Sequence, residues 1–502
     1  MIKKLSNNVI NIFLVTLCTI TLIGAMTQLA KLQSILSIKK NLIFTLLVIL
    51  CVSGYIFRRR IEKILNLLSS YYYLYLIIFI LIITTLIIYQ LNMIQALTGT
   101  MDLDPFYIYS LILNGPTDDN FYFSWYPNLL FLLNIENAIY RLLGKPSLYV
   151  FLKFLNYINM FLIDSGLILI YFTVKKQINR RYAFLTFLIG ILLYGITPYI
   201  AIPYSDNWAF WICSLYVFLL SICISKKNNN FSKTVALLSL GIVSALLFKI
   251  KPSTAIVLIA TMIICILFTL TKIKTLNTTI KKTFKIILLI TIPFLITYST
   301  CNYFANNNRL VRIEQNQSAS ALHFMAMGLH GNGEYWDEFN KKDQALSPSL
   351  RKPYEIKTIK NDIKDFKSLT GLSNFVINKQ QHNSSLASWQ RNTGPVSWSL
   401  VPKLKLHNKF QSMLRNIFTK NDFFYWNGYL IFIQAVWVIV IIGMILAYDN
   451  DSFFVQINKY TIVGGFIFLI LFEGGVSRYM IQYLPFMMIL SVFGFFDLKK
   501  EK

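Results

Sequence analysis

Carboxylates are the scarce charge in this chain: 22 Asp and Glu stand against 48 Lys and Arg, a formal net charge of +26. Charged residues of either sign make up only 14% of the sequence, too few for the solvated surface of a soluble globular domain. Histidine is rarer still. All four, His323, His330, His382 and His407, fall in one polar stretch, Ala305 to Asp422. The six cysteines, Cys18, Cys51, Cys213, Cys223, Cys265 and Cys301, lie within or at the ends of apolar runs, which excludes a disulfide framework or a thiolate zinc pattern and reads them as small core residues. There is no Walker loop, GxSxG elbow or dinucleotide fingerprint, and so no ground for ATP-driven chemistry.

What is present is apolar: 55% of residues are hydrophobic and the mean hydropathy is +0.54. The pattern predicts an all-α polytopic membrane protein of about twelve spans. They are placed at Asn8–Leu29, Leu42–Phe57, Tyr73–Tyr89, Val150–Val174, Tyr182–Ile200, Asn207–Ile224, Ser232–Phe248, Thr254–Leu270, Phe284–Phe304, Tyr425–Tyr448, Tyr460–Phe472 and Tyr479–Phe496. Met1–Leu29 has no small-residue cleavage site and is long enough to span, so it reads as a retained first helix. Three regions follow: a transmembrane core over 1–304 with a loop at 91–149, a polar segment over 305–424, and C-terminal spans over 425–502.

Basic residues cluster between the runs, as positive-inside loops do and nucleic-acid surfaces do not. Lys3-Lys4, Arg58 to Arg60, Lys175 to Arg181, Lys226-Lys227, Lys272 to Lys285 and Lys499-Lys500 share one side if the spans alternate. That side, holding both termini, is expected to be cytoplasmic. Lys31/Lys39/Lys40 and Lys249/Lys251 are exceptions. The run Asn128–Leu143 is interrupted by Asn134, Glu136, Asn137 and Arg141, and counting it as a span spoils the charge rule downstream, so it is expected to lie in the interface. In the polar segment, Ile356, Ile359, Ile363, Phe366 and Leu369 have helical spacing and predict an amphipathic helix against the membrane or the rest of the loop. Trp389, Trp398 and Trp426 suit an interface.

This topology brings scarce acids and misplaced bases to the outside. Asp102, Asp104, Asp118 and Asp119 follow the third span directly, and an aspartate at the bilayer centre costs about 2.5–3.5 kcal/mol, so they belong in water or a shielded site. Asp102 and Asp104, two apart, share one face of an extended loop and suit proton acceptance beside Tyr107, Phe121, Phe123, Trp125 and Tyr126. Equally, an aspartate before Pro105 suits a helix start. Asp206, after Pro203-Tyr204-Ser205, is either a helix cap or a second carboxylate facing the same cavity. Lys249 and Lys251 suit an anionic group held outside, or headgroups reached by snorkelling. Glu473 and Arg478 flank Gly474-Gly475; Arg478 either clamps a phosphate or pairs with Glu473. His323 and His330, near Glu334, Asp337 and Glu338, have the wrong spacing for an H-E-x-x-H site, and no metal site is assigned.

Asp102-Leu103-Asp104, the run Tyr122 to Asn128, Pro203 to Asp206 and Gly474 to Pro485 together resemble the GT-C superfamily of integral-membrane glycosyltransferases. The likeness is to protein O-mannosyltransferases, the aminoarabinose transferase and a Gram-positive membrane group. The resemblance implies a polyprenyl-phosphate-linked sugar donor, used at the outer face on a cell-envelope glycan, lipid or protein acceptor. It makes Asp102 the general base for inverting attack and Asp104 its neighbour, orienting the acceptor or a divalent cation, the one cofactor left open. Lys249, Lys251 and Arg478 would neutralise the departing lipid phosphate, with Tyr126, Asn128, Tyr204, Asp206 and Glu473 lining the substrate site. The departure is that the carboxylate loop here follows the third span, not the first, as an added N-terminal hairpin would produce. A polysaccharide polymerase or ligase is the rival enzyme, and a flippase or exporter of lipid-linked oligosaccharide the rival carrier. Against a carrier, the spans hold little charge beyond Lys153 and Asp164, and no internal repeat is visible.

Overall fold

The computed structural model describes residues 2–36, 60, 63–64, 66–67, 70–115, 121–270, 276–308, 310–314, 316–389, 399–400, 405–419 and 423–496. The span expected at Leu42–Phe57, together with Asp118, Asp119, Trp398, Cys51, Lys39, Lys40, Arg58, Arg59, Lys272, Lys274, Lys499 and Lys500, lies outside these residues.

Eight of the described helices are long and apolar enough to cross a bilayer. They are α1 (Ile2–Ile35), α2 (Tyr72–Leu97), α6 (Leu148–Gln177), α8 (Ser205–Ile224), α9 (Asn230–Ile250), α11 (Leu276–Asn306), α17 (Phe423–Leu446) and α18 (Phe453–Leu471). Each coincides with an expected span. Three further expected spans form shorter or broken helices. α7 (Arg180–Gly190) gives way to a π turn, Ile191–Gly195, then a 3-10 turn from Pro198. α10 (Ala255–Leu270) follows a 3-10 turn at Pro252, and α19 (Leu484–Phe495) follows another at Ser477–Tyr483. Proline removes a backbone donor and clashes with the preceding turn, so the helical path from α7 breaks at Pro198, α8 begins only after Pro203, and α9 ends two residues before Pro252. Only 6% of the most apolar stretch of α11 is buried, leaving its side chains for lipid.

Non-helical backbone at membrane depth needs internal partners. Gln90 of α2 donates to the carbonyl of Gly195 (3.0 Å) and to Asp164 of α6 (2.8 Å), meeting the π turn's freed oxygen. Asn207 donates to the carbonyls of Tyr199 (3.3 Å) and Ile202 (2.9 Å) and accepts from Tyr194, which fixes the Pro198–Pro203 loop.

After α2 the chain forms strand β1 (Thr100–Met101), α3 (Asp104–Asn114), α4 (Phe121–Trp125) and α5 (Leu130–Leu142). At 13 residues α5 is too short to span, and it buries Leu130, Leu132, Leu133 and Glu136 on one face. β1 pairs antiparallel with β2 (Ser399–Leu400), Thr100 opposite Leu400. The polar segment folds into α12 (Ala321–Leu329), α13 (Asp337–Ala345), α14 (Pro348–Asp365), α15 (Leu369–Ser384) and α16 (Lys409–Phe418). The expected amphipathic helix is found only in part: α14 carries Ile356, Ile359 and Ile363 but ends before Phe366, and Leu369 starts α15. Of the five only Ile359 is buried, joining Ala326, Met327 and Phe339 in a small core of the segment itself, while Ile363 and Leu369 are exposed. Trp389 and Trp426 do not face outward. Both are buried, and the Trp389 indole donates to the Leu193 carbonyl of the π turn at 3.0 Å, because an unwound turn offers an acceptor that lipid cannot satisfy.

Candidate functional site

Four helix junctions meet at one end of the bundle. The first is the turn after α2, where Thr98 accepts from Asn156 of α6 (3.0 Å) and Leu103 adopts φ 65°, a left-handed conformation that strains a residue with a side chain. That turn separates the two aspartates. Asp102 is left exposed, while Asp104 starts α3 half-buried and accepts hydrogen bonds from the hydroxyls of Tyr122 and Tyr204. The shared face expected of an extended loop is therefore absent. Asp104 also does not act as an N-terminal cap, since the start of α3 has no side-chain cap bond. Burial and the Asp104 charge push the Tyr122 hydroxyl up, keeping it a proton donor. Its ring stacks on Tyr107 at 3.7 Å.

The second junction is the start of α8. Asp206 is wholly buried, and it pairs with Lys251 at the third junction, the α9–α10 break. Arg478 completes the group from the fourth, between α18 and α19: its Nε lies 3.6 Å from Asp206 Oδ2, and its guanidinium covers the Tyr204 ring at 4.2 Å. The third and fourth junctions bind each other, Ser253 donating to Gln482 (2.9 Å) and Tyr483 to the Ser253 carbonyl (2.9 Å). Tyr479 donates to Glu473 at 3.1 Å. Burial raises the Glu473 carboxyl above its ordinary value, partly offset by that bond and by Arg478. Tyr126 lies near Asp104 and Glu473, and burial raises its hydroxyl too. The result is two cations, one fully buried carboxylate between them and two more carboxyls nearby. Lys251 and Arg478 keep 13% and 12% of their side-chain surface while Asp206 keeps none, so the carboxylate is the most deeply buried member of the group.

Of the residues expected at the site, Asp104, Tyr126, Tyr204, Asp206, Lys251, Glu473 and Arg478 come together. Lys249 does not. It binds Asn302 and sits 4.2 Å from the Tyr298 ring on α11, because it belongs to the last turn of α9 and Lys251 to the residue beyond it. Asn128 is exposed. Two residues invisible to motif reading hold the Glu473–Arg478 turn. Lys379 of α15 is buried and donates to the carbonyls of Gly328, Ile470 (2.9 Å) and Phe472 (2.7 Å). Asn383 accepts from the amide of Gly475 at 2.6 Å. In sequence, Lys379 is one lysine among many in a polar segment, and only its apolar surroundings distinguish it.

Fold and site together define an all-α, multi-pass integral membrane protein with a buried, charge-paired site where broken helices meet. The chain belongs to the family described as conserved hypothetical integral membrane protein, whose model matches residues 2–497. No curated protein and no solved structure matches the chain.

Proposed function

We propose that the protein is a GT-C-type glycosyltransferase that moves a sugar from a polyprenyl-phosphate donor to a cell-envelope acceptor at the outer face of the membrane. One observation carries the reading: a carboxylate oriented by two tyrosine hydroxyls, Asp104, is joined through Tyr204 to a buried Lys251–Asp206–Arg478 group. Sugar transfer from a lipid phosphate requires those two things, a base for the acceptor hydroxyl and fixed positive charge for the leaving phosphate. In this assignment Asp104 takes the proton as the acceptor oxygen attacks the anomeric carbon. The bond from that carbon to the phosphate oxygen breaks, and the lipid phosphate leaves with the electron pair. Lys251 and Arg478 neutralise it, Arg478 suiting two phosphate oxygens at once. The base role that the resemblance gives Asp102 passes to Asp104, and Asp102 at the exposed rim contacts the incoming acceptor. A carboxylate has about four lone-pair sites, so two tyrosine donors leave room for a substrate hydroxyl.

The class is tested by reconstituting the purified protein in vesicles with radiolabelled polyprenyl-phosphate sugars and membrane-extracted acceptors. A glycosyltransferase releases lipid phosphate as label enters the acceptor. Label that crosses the bilayer on intact lipid identifies a carrier, and label that joins preformed lipid-linked glycans into longer chains identifies a polymerase or ligase.

A further inference from the structure

A second cluster of ionisable residues lies in the polar segment. His323 of α12, Asp343 of α13 and Glu355 of α14 each bring one ligand-type atom within 4.8 Å of the others. None is close to the others in sequence. All three are buried, His323 and Asp343 completely. His323 Nδ1 lies 2.7 Å from Asp343 Oδ2, and Ser320 donates to Glu355 Oε2 at 2.8 Å. Two neighbouring carboxyls in a dry site repel when ionised and need a cation or a shared proton. The nearest guanidinium, Arg351, is spent on main-chain carbonyls of Asp343 (3.2 Å), Leu346 (3.1 Å) and Gln317 (3.2 Å). His323 Nε2 is buried without a hydrogen-bond partner among the described residues. The Asp343 and Glu355 carboxyls stand within hydrogen-bonding reach of each other, which two ionised carboxylates permit only with a proton or a cation between them. Buried polar atoms are almost always satisfied, so the free imidazole nitrogen and the facing carboxyls point to a group still to be supplied.

We propose that His323, Asp343 and Glu355 bind a divalent transition-metal ion of the Zn²⁺ class, which fastens α12, α13 and α14 together. One imidazole and two carboxylates form a nitrogen and oxygen set that such ions accept, and their two negative charges match its two positive ones. The site is closed. The Trp125 ring stands edge-on to His323 at 5.1 Å, and Phe339 lies over it at 5.3 Å. With all three ligand residues buried the ion is assigned a structural role, a fourth position being left to water or Ser320. The fold has use for it, because the three helices have 9, 9 and 18 residues around a core of four buried apolar side chains. Small units of this kind need a staple. The ion also steadies the neighbouring transfer site, since the Ala319 amide, just ahead of α12, donates to the Trp125 carbonyl at 3.0 Å.

The test uses the full-length protein in detergent, stripped with chelator and titrated with Zn²⁺ by calorimetry. The expected result is one tight ion per chain with a rise in thermal midpoint, and binding weakened by about 100-fold or more in Glu355→Gln and His323→Gln but unchanged in His330→Asn. Absence of stoichiometric uptake by the wild type, or equal uptake by both ligand variants, overturns the proposal in favour of a shared proton. Should those variants not fold, zinc-edge absorption on the wild type decides: an imidazole with oxygens at about 2.0–2.2 Å is expected, and a shell without imidazole contradicts it.

Discussion

Asp206 has no exposed surface and two cations against it, so its removal takes the opposite charge from beside Lys251 and Arg478. Breaking a buried pair from one side costs about 3–5 kcal/mol. Asp206→Ala should therefore lower the thermal midpoint sharply, and adding Lys251→Met should restore part of the loss; a single variant as stable as wild type would remove the pairing from the account. At this scale the sequence was partly legible. Asp206 and Arg478 stand out as charges at span ends, and Lys251 as a base on the disfavoured side. The wrong inferences came from pairs two residues apart. Lys249 and Lys251 part company at a helix end, and Asp102 and Asp104 at Leu103, whose positive φ is a tertiary outcome that leucine gives no sign of. His323, Asp343 and Glu355 share no local spacing at all, so proximity in sequence pointed to Glu334, Asp337 and Glu338 instead.

Hydropathy located the helices but not every break. A hydropathy window averages over Pro198 and reads α7 with its π turn as one full crossing, whereas the turn at Pro252 is legible and α10 begins within a residue of the expected span. Those breaks build the site, because each ends a helix beside a charged residue. α5 is too short to cross a bilayer, but its interruption at Glu136 lies on the buried face, not toward water. Burial raises the Glu136 carboxyl from its ordinary 4.5 to about 8. The folded protein thus holds a proton that the unfolded chain releases. The stability gained is complete below about pH 4.5 and is lost as pH rises toward 8. Thermal unfolding followed across that range should show a declining midpoint, and Glu136→Gln should flatten the decline. An equally steep decline in the variant would place the titrating group elsewhere.

Across the whole molecule, the site, the polar segment and the 91–149 loop gather at one end of the helix bundle. From the distribution of basic residues we propose that this end faces outward and that both termini are cytoplasmic. Cysteine labelling tests the assignment: in a protein cleared of native cysteines, Cys at Lys405 or Asp102 should react with an impermeant maleimide on intact cells, and Cys at Lys3 only after lysis. Reaction of all three on intact cells would contradict the topology. The central claim is that Asp104, held by Tyr122 and Tyr204, is the base of a sugar transfer. The direct measurement is the turnover of wild type, Asp104→Asn and Asp102→Asn with one polyprenyl-phosphate sugar and its acceptor, alongside donor binding. Loss of a positioned base costs about 10²–10⁴-fold in rate. The account predicts a loss of that size in Asp104→Asn with donor binding kept, and a smaller loss, expressed mainly in acceptor KM, in Asp102→Asn. Turnover preserved in Asp104→Asn would contradict it.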